Sequence, residues 1–213
     1  MLKLISARLF WGLVLVIGGV LLLLDTFGIF KGGALFWTIL SALAGILFLS
    51  VYVTNHVHWW ALIPGVFFLA VAVLIGLSAF LPGFSGTPLG GTVILGGIGL
   101  SFLLVYLVDH KNWWAIIPAG VMGTLAVVAT LAPGVQGVVS GGIFFLGLGI
   151  TFGLVAILPT TVGQMRWAWI PAAILAVFGL LLLLAVGQYI NYVWPSALVL
   201  AGLLLIIRAA VRR

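Results

Sequence analysis

Apolar runs of about twenty residues follow one another along this chain, and only short polar breaks separate them. About 20 apolar residues in a helix span the hydrocarbon core of a bilayer. The runs lie at roughly 5–24, 34–54, 59–82, 89–108, 113–132, 138–158, 167–186 and 191–209. Eight spans use about 160 of the 213 residues, which leaves no room for an extramembrane domain. Charged residues make up 5% of the chain, against about 25% in a soluble protein, so its outer surface must face lipid. That excludes a soluble enzyme, a nucleic-acid binder and a receptor with an ectodomain. Membrane β-strands alternate apolar and polar residues. The runs Leu21–Leu24 and Leu180–Leu184 do not alternate, so the spans are read as helices.

Lys3 and Arg8 ahead of Leu9–Leu24 have the look of a signal peptide, but no small-x-small cleavage pattern precedes Asp25-Thr26-Phe27. The run is therefore expected to be retained as the first span. With eight spans, both ends share a side with the loops at 55–58, 109–112 and 159–166. That side holds Lys3, Arg8, Lys111, Arg166, Arg208, Arg212 and Arg213; the other holds Lys31. The Lys/Arg bias of short loops sets orientation, so both termini are expected in the cytoplasm. A bacterial-type inner or plasma membrane fits this pattern. The basic tail reads as a topological anchor near anionic lipid, or as a docking site for a protein partner.

An internal repeat organises the chain. Trp59-Trp60-Ala61-Leu62-Ile63-Pro64-Gly65 recurs as Trp113-Trp114-Ala115-Ile116-Ile117-Pro118-Ala119, and more loosely as Trp167-Ala168-Trp169-Ile170-Pro171-Ala172. A Trp precedes each Pro by four, and the copies stand 54 and 53 residues apart. The return helices begin Gly32-Gly33, Gly90-Gly91 and Gly141-Gly142. The expected fold is all-α: a polytopic bundle of eight helices in four tandem two-helix hairpins, approximately 1–54, 55–108, 109–160 and 161–213, forming one membrane domain. Successive units enter from the same side, unlike the inverted repeats of many secondary transporters.

Trp59, Trp60, Trp113, Trp114, Trp167, Trp169 and Trp194 sit at span ends, where an indole buries its ring and keeps its N–H wet. They read as interfacial anchors, or as an aromatic rim for a lipid or pigment. The Ile-Pro steps read as helix starts, where the missing N–H costs little, or as hinges. Gly45, Gly97, Gly99, Gly147, Gly149 and Gly153 are candidate packing positions, several of them in small-xxx-small pairs that let backbones approach in lipid. Those faces serve packing within this chain, self-association or another membrane subunit.

Ionisable residues inside a span mark functional sites by default, and the eight runs contain no carboxylate well inside them. The chain has no Glu, and Asp25 and Asp109 lie at span ends. Hydroxyls such as Ser41, Ser78, Ser101, Thr124, Thr130 and Thr151 supply the mid-span polarity, and a helical hydroxyl can bond its own backbone. No catalytic residue, no cofactor and no enzyme activity is expected. His56, His58 and His110, with Asp109, form a weak candidate metal set in corresponding loops. The chain has no Cys to add to it.

Phe10-Trp11-Gly12-Leu13-Val14-Leu15-Val16-Ile17-Gly18-Gly19-Val20-Leu21-Leu22-Leu23-Leu24-Asp25 and Val193-Trp194-Pro195-Ser196-Ala197-Leu198-Val199-Leu200-Ala201-Gly202-Leu203-Leu204-Leu205 resemble the small membrane domain of LiaI/LiaF-type cell-envelope stress proteins. The likeness covers the first and last hairpins and transfers no functional residue. It implies a hairpin-built membrane protein with a role in envelope stress. The expected function is non-catalytic: helix–helix contacts within a larger membrane complex, or a small envelope-stress regulator. Membrane lipids and other membrane subunits are the expected partners, and nucleic acid is not. The alternative is a carrier or pore for a neutral or lipophilic molecule such as a lipid, quinone or pigment.

Overall fold

The computed structural model describes residues 33–186, apart from 82, 85, 86, 136, 159–162 and 164, together with short stretches between 12 and 27 and between 195 and 203. Trp194, most of the first and eighth spans, Lys31 and the basic residues at both ends lie outside the described residues. Six helices are long and apolar enough to cross a membrane, which makes this an integral membrane protein by length and composition. They are α1 (Gly33–Thr54), α2 (Leu62–Phe80), α3 (Leu89–Val108), α4 (Ile116–Leu131), α5 (Gly137–Ile157) and α6 (Trp169–Val186). A shorter apolar helix runs Leu15–Leu24. The sequence expectation of 34–54, 89–108 and 138–158 matches α1, α3 and α5 to within a residue.

The chain divides into two compact units, residues 1–130 and 131–213. The first holds α1 to α4, with α1 on α2, α2 on α3, and α3 on α4. The second holds the pair α5 and α6. In each pair joined by a Trp-bearing turn, the helices approach at a glycine. A Cβ on Gly45 of α1 would stand 2.9 Å from the Gly65 carbonyl oxygen of α2. A Cβ on Gly99 of α3 would stand 3.1 Å from the Ala119 carbonyl oxygen of α4. A Cβ on Gly149 of α5 would stand 3.1 Å from the Ala172 carbonyl oxygen of α6. Backbone cannot yield as a flexible side chain can, so each position requires hydrogen in place of Cβ. Each opposing carbonyl belongs to the residue directly after the proline of the second helix (Pro64, Pro118, Pro171).

Those prolines occupy the third position of their helices, within the first turn, where backbone N–H groups have no intrahelical acceptor. The helix-start reading thus matches their placement. Between 11% and 28% of each span window is buried within the protein, so most of every helix surface is left for lipid or another chain.

Candidate functional site

Three turns connect the paired helices, and each ends in a 3-10 step that leads into the second helix. In the first, α1 ends as the Asn55 N–H donates to the Val51 carbonyl at 3.2 Å. The Asn55 side-chain oxygen then accepts the Val57 N–H at 3.1 Å. In the second, the Asp109 N–H donates to the Val105 carbonyl at 3.2 Å, and the Asp109 carboxylate accepts the Lys111 N–H at 3.0 Å. A short acidic or amide side chain reaching its own backbone two residues on makes a compact turn from four residues. One 3-10 turn follows in each case: Trp59–Ala61, Trp113–Ala115 and Arg166–Ala168. The residues leading in, His58, Asn112 and Met165, share nearly one backbone conformation (φ −86°, −83° and −85°; ψ 49°, 44° and 68°). Ala61, Ala115 and Ala168 close the turns with no exposed surface at all, so nothing larger fits there.

An aromatic clasp fastens each turn to the helix before it. Phe48 meets Trp60 edge-on at 6.4 Å, Phe102 meets Trp114 at 6.0 Å, and Phe152 meets Trp167 at 6.3 Å, with interplanar angles of 74°, 75° and 71°. Edge-to-face rings at this separation attract through their quadrupoles. Trp60, Trp114 and Trp167 remain 48%, 37% and 51% exposed, enough for each indole to pack on its own chain and still reach an interface. Trp59 and Trp114 meet at 5.9 Å and join the first two turns. Trp113 is half-buried, and Trp169 stands exposed where its counterparts Leu62 and Ile116 are buried. The Phe partners were not among the sequence candidates. Their signal is present: Phe48, Phe102 and Phe152 each lie three residues after the seam glycine.

The histidines are spent locally. His56 lies edge-on to Tyr52 at 5.0 Å and His110 to Tyr106 at 4.8 Å, while His58 faces Trp60 at 6.4 Å. Among the described residues no three His, Cys, Asp or Glu come together as a metal-holding group. The weak set of His56, His58, His110 and Asp109 is therefore not assembled. His58 Nδ1 and Asn112 Nδ2, at equivalent places in the two turns, are buried without a hydrogen-bond partner.

At span depth the hydroxyls turn inward on the protein. Ser101 donates to the Ile98 carbonyl at 2.6 Å, Thr151 to Gly147 at 2.8 Å and Thr130 to Ala126 at 2.9 Å. Thr92 and Thr130 also pair at 2.7 Å between α3 and α4. A Ser nucleophile needs a base within hydrogen-bond reach, and these hydroxyls have backbone carbonyls instead. The glycine candidates divide. Gly45, Gly99 and Gly149 sit at the seams, and Gly97 lies hard against the Ala70 side chain of α2. Gly147 contributes its carbonyl to Thr151. Gly153, expected to pack, has open space where its side chain would be. It lies one turn beyond Gly149 on nearly the same helix face, where no neighbouring atom comes within 4 Å of that position. Comparison of the chain with protein-family models, curated proteins and solved structures finds no significant match in any of the three.

Proposed function

We propose that this chain is a non-catalytic membrane protein that works through helix–helix contacts, as an accessory or scaffold subunit of a larger membrane complex or a small envelope-stress regulator. In this reading the six spans belong to an eight-helix bundle of four hairpins, with both termini and the Trp-bearing turns in the cytoplasm. One observation carries it: Ser101, Thr130 and Thr151 bond back to their own helices at span depth, while large apolar side chains cover the outside. Ile39, Ile46, Leu47, Ile150, Ile174 and Val177 are each more than half exposed along their helices. Such a surface has no chemistry to offer a reaction, but it matches lipid and other helices.

The test is extraction from native membranes in a mild detergent, followed by native-gel sizing and mass spectrometry of co-migrating species. Discrete membrane partners at fixed stoichiometry support the proposal. A chain that migrates alone, with no membrane partner at fixed stoichiometry, would overturn it.

A further inference from the structure

Two helices carry exposed apolar strips whose counterparts elsewhere in the repeat are covered. On α1 the strip is Leu43, Leu47 and Val51, between 40% and 65% exposed. On α6 it is Ile174 and Val177, each more than half exposed, with half-buried Leu181 one turn further on.

The repeat aligns α1 with α3 on the seam glycines Gly45 and Gly99, so Leu43, Leu47 and Val51 correspond to Gly97, Ser101 and Val105. On α3 that strip is closed. Gly97 lies hard against the Ala70 side chain of α2, and Ser101 and Val105 have no exposed surface. The same repeat aligns α6 with α2 on Pro171 and Pro64, so Val177 and Leu181 correspond to Ala70 and Leu74. Both of those α2 residues face α3: Ala70 meets Gly97, and the Leu74 methyl lies 3.3 Å from where a Cβ on Gly90 would stand. The first unit thus shows one complete joint between hairpins, with α2 and α3 as its halves running antiparallel. On α1 the α3 half of that joint is left open, and on α6 the α2 half is left open.

The two open halves suit each other on separate copies. A depression of about 420 Å³ runs beside the α1 strip, between Phe48 and Phe68, and one of about 400 Å³ runs along the α6 strip beside Phe178. Side-chain ridges of one helix seat in such grooves of the next. Neither strip bears a charge, and helices in lipid associate through packing of this kind. Leu43 and Val177 take the places of Gly97 and Ala70 at the closest point, so these helices stand further apart than α2 and α3. The described part of the first helix meets α1 elsewhere, with Gly18 against Phe36 and Trp37, and the α1 strip stays exposed.

We infer that α6 of one copy packs on α1 of a second copy, in the register of α2 on α3, with Val177 opposite Leu43 and Ala173 opposite Leu47. The inference rests on the reading that this chain works through helix–helix contacts, and it names a second copy as the partner at these two helices. The paired surfaces differ, so each copy keeps one half free for the next, and the assembly is head-to-tail.

The test co-expresses two full-length chains with different affinity tags, one bearing Leu43→Cys and the other Val177→Cys. The chain has no Cys of its own, so a disulfide formed by mild oxidation in native membranes joins two copies. Leu43→Cys with Val177→Cys, and Leu47→Cys with Ala173→Cys, should crosslink several-fold more than Leu43→Cys with Ile150→Cys, an exposed position on α5. Native mass spectrometry of the unaltered chain in a mild detergent should show complexes of two or more copies, which decides the matter should a cysteine variant fail to fold. A monomer at every concentration, or matched pairs no stronger than the Ile150→Cys control, overturns the inference. So does capture of Leu43→Cys by Val16→Cys within one chain, because Val16 stands 54 residues before Ala70 and the first span would then fill the strip. Foreign subunits at fixed stoichiometry without these crosslinks overturn the self-association and support the accessory-subunit reading; crosslinked copies without foreign subunits do the reverse.

Discussion

The two ends of the helices in the first unit are built on different plans. At one end, two four-residue turns repeat each other almost atom for atom: Asn55 and Asp109 cap alike, Ala61 and Ala115 are both fully buried, and Phe48–Trp60 and Phe102–Trp114 clasp alike. At the other end the connection is longer, and in it the Phe84 N–H donates to the Leu81 carbonyl and the Thr87 N–H to the Phe84 carbonyl. The repeated end is a construction device: it sets the angle at which paired helices leave the turn, and so brings each seam glycine against the carbonyl after the proline. The other end carries a looser repeat, in which Pro82-Gly83 and Gly90-Gly91 recur as Pro133-Gly134 and Gly141-Gly142.

The comparison breaks most sharply at the seams. Gly149→Leu and Gly99→Leu drive a side chain into backbone and should cost more than about 3 kcal/mol, seen as loss of folded yield or of detergent-resistant helix signal. Gly153→Leu, one turn away in open space, should leave both unchanged. Equal damage from Gly149→Leu and Gly153→Leu would mean that the seam register is wrong. Next in size, Ala115→Leu should destabilise the second turn by about 1–3 kcal/mol, and Ala61→Leu the first by a similar amount, measured as thermal shifts in one detergent. Unequal responses would separate turns that the structure makes equivalent.

Smaller still is the clasp. A double-mutant cycle on Phe102→Leu and Trp114→Leu should return a coupling of about 0.5–1.5 kcal/mol, beyond the loss of buried area. Near-zero coupling would reduce the clasp to incidental contact. The smallest change is expected at Asn112. Its Nδ2 is buried without a partner, so Asn112→Leu removes a group whose burial without a partner costs about 1–3 kcal/mol. That variant should match the wild type in thermal stability or exceed it, whereas Asp109→Ala, which loses a made hydrogen bond, should fall below it.

The span boundaries were legible because each is marked by a residue that ends a helix for a local reason. Asn55 and Asp109 pull the backbone into a turn, and Pro64, Pro118 and Pro171 are tolerated only in a first turn. The seam glycines were legible as small residues, but not as a set. Gly153 carries the same sequence signal as Gly149, and only the facing helix distinguishes them. The aromatic clasps needed the pairing of Phe152 with Trp167 across a turn whose length differs from the other two. Phe84 reads in the sequence like any interfacial aromatic, and its burial follows only from the turn in which it bonds Leu81 and Thr87.

The most direct test of the account is which face of the membrane each end of these helices meets. The chain contains no Cys, so single replacements at exposed positions give clean reporters: His56→Cys and Lys111→Cys in the turns, Leu81→Cys in the opposite connection. Labelling with a membrane-impermeant maleimide in right-side-out and inverted vesicles should tag residues 56 and 111 from the cytoplasmic face only, and residue 81 from the outer face only. Labelling of all three from one face would contradict membrane-spanning hairpins, and with them the whole account of how this chain is built.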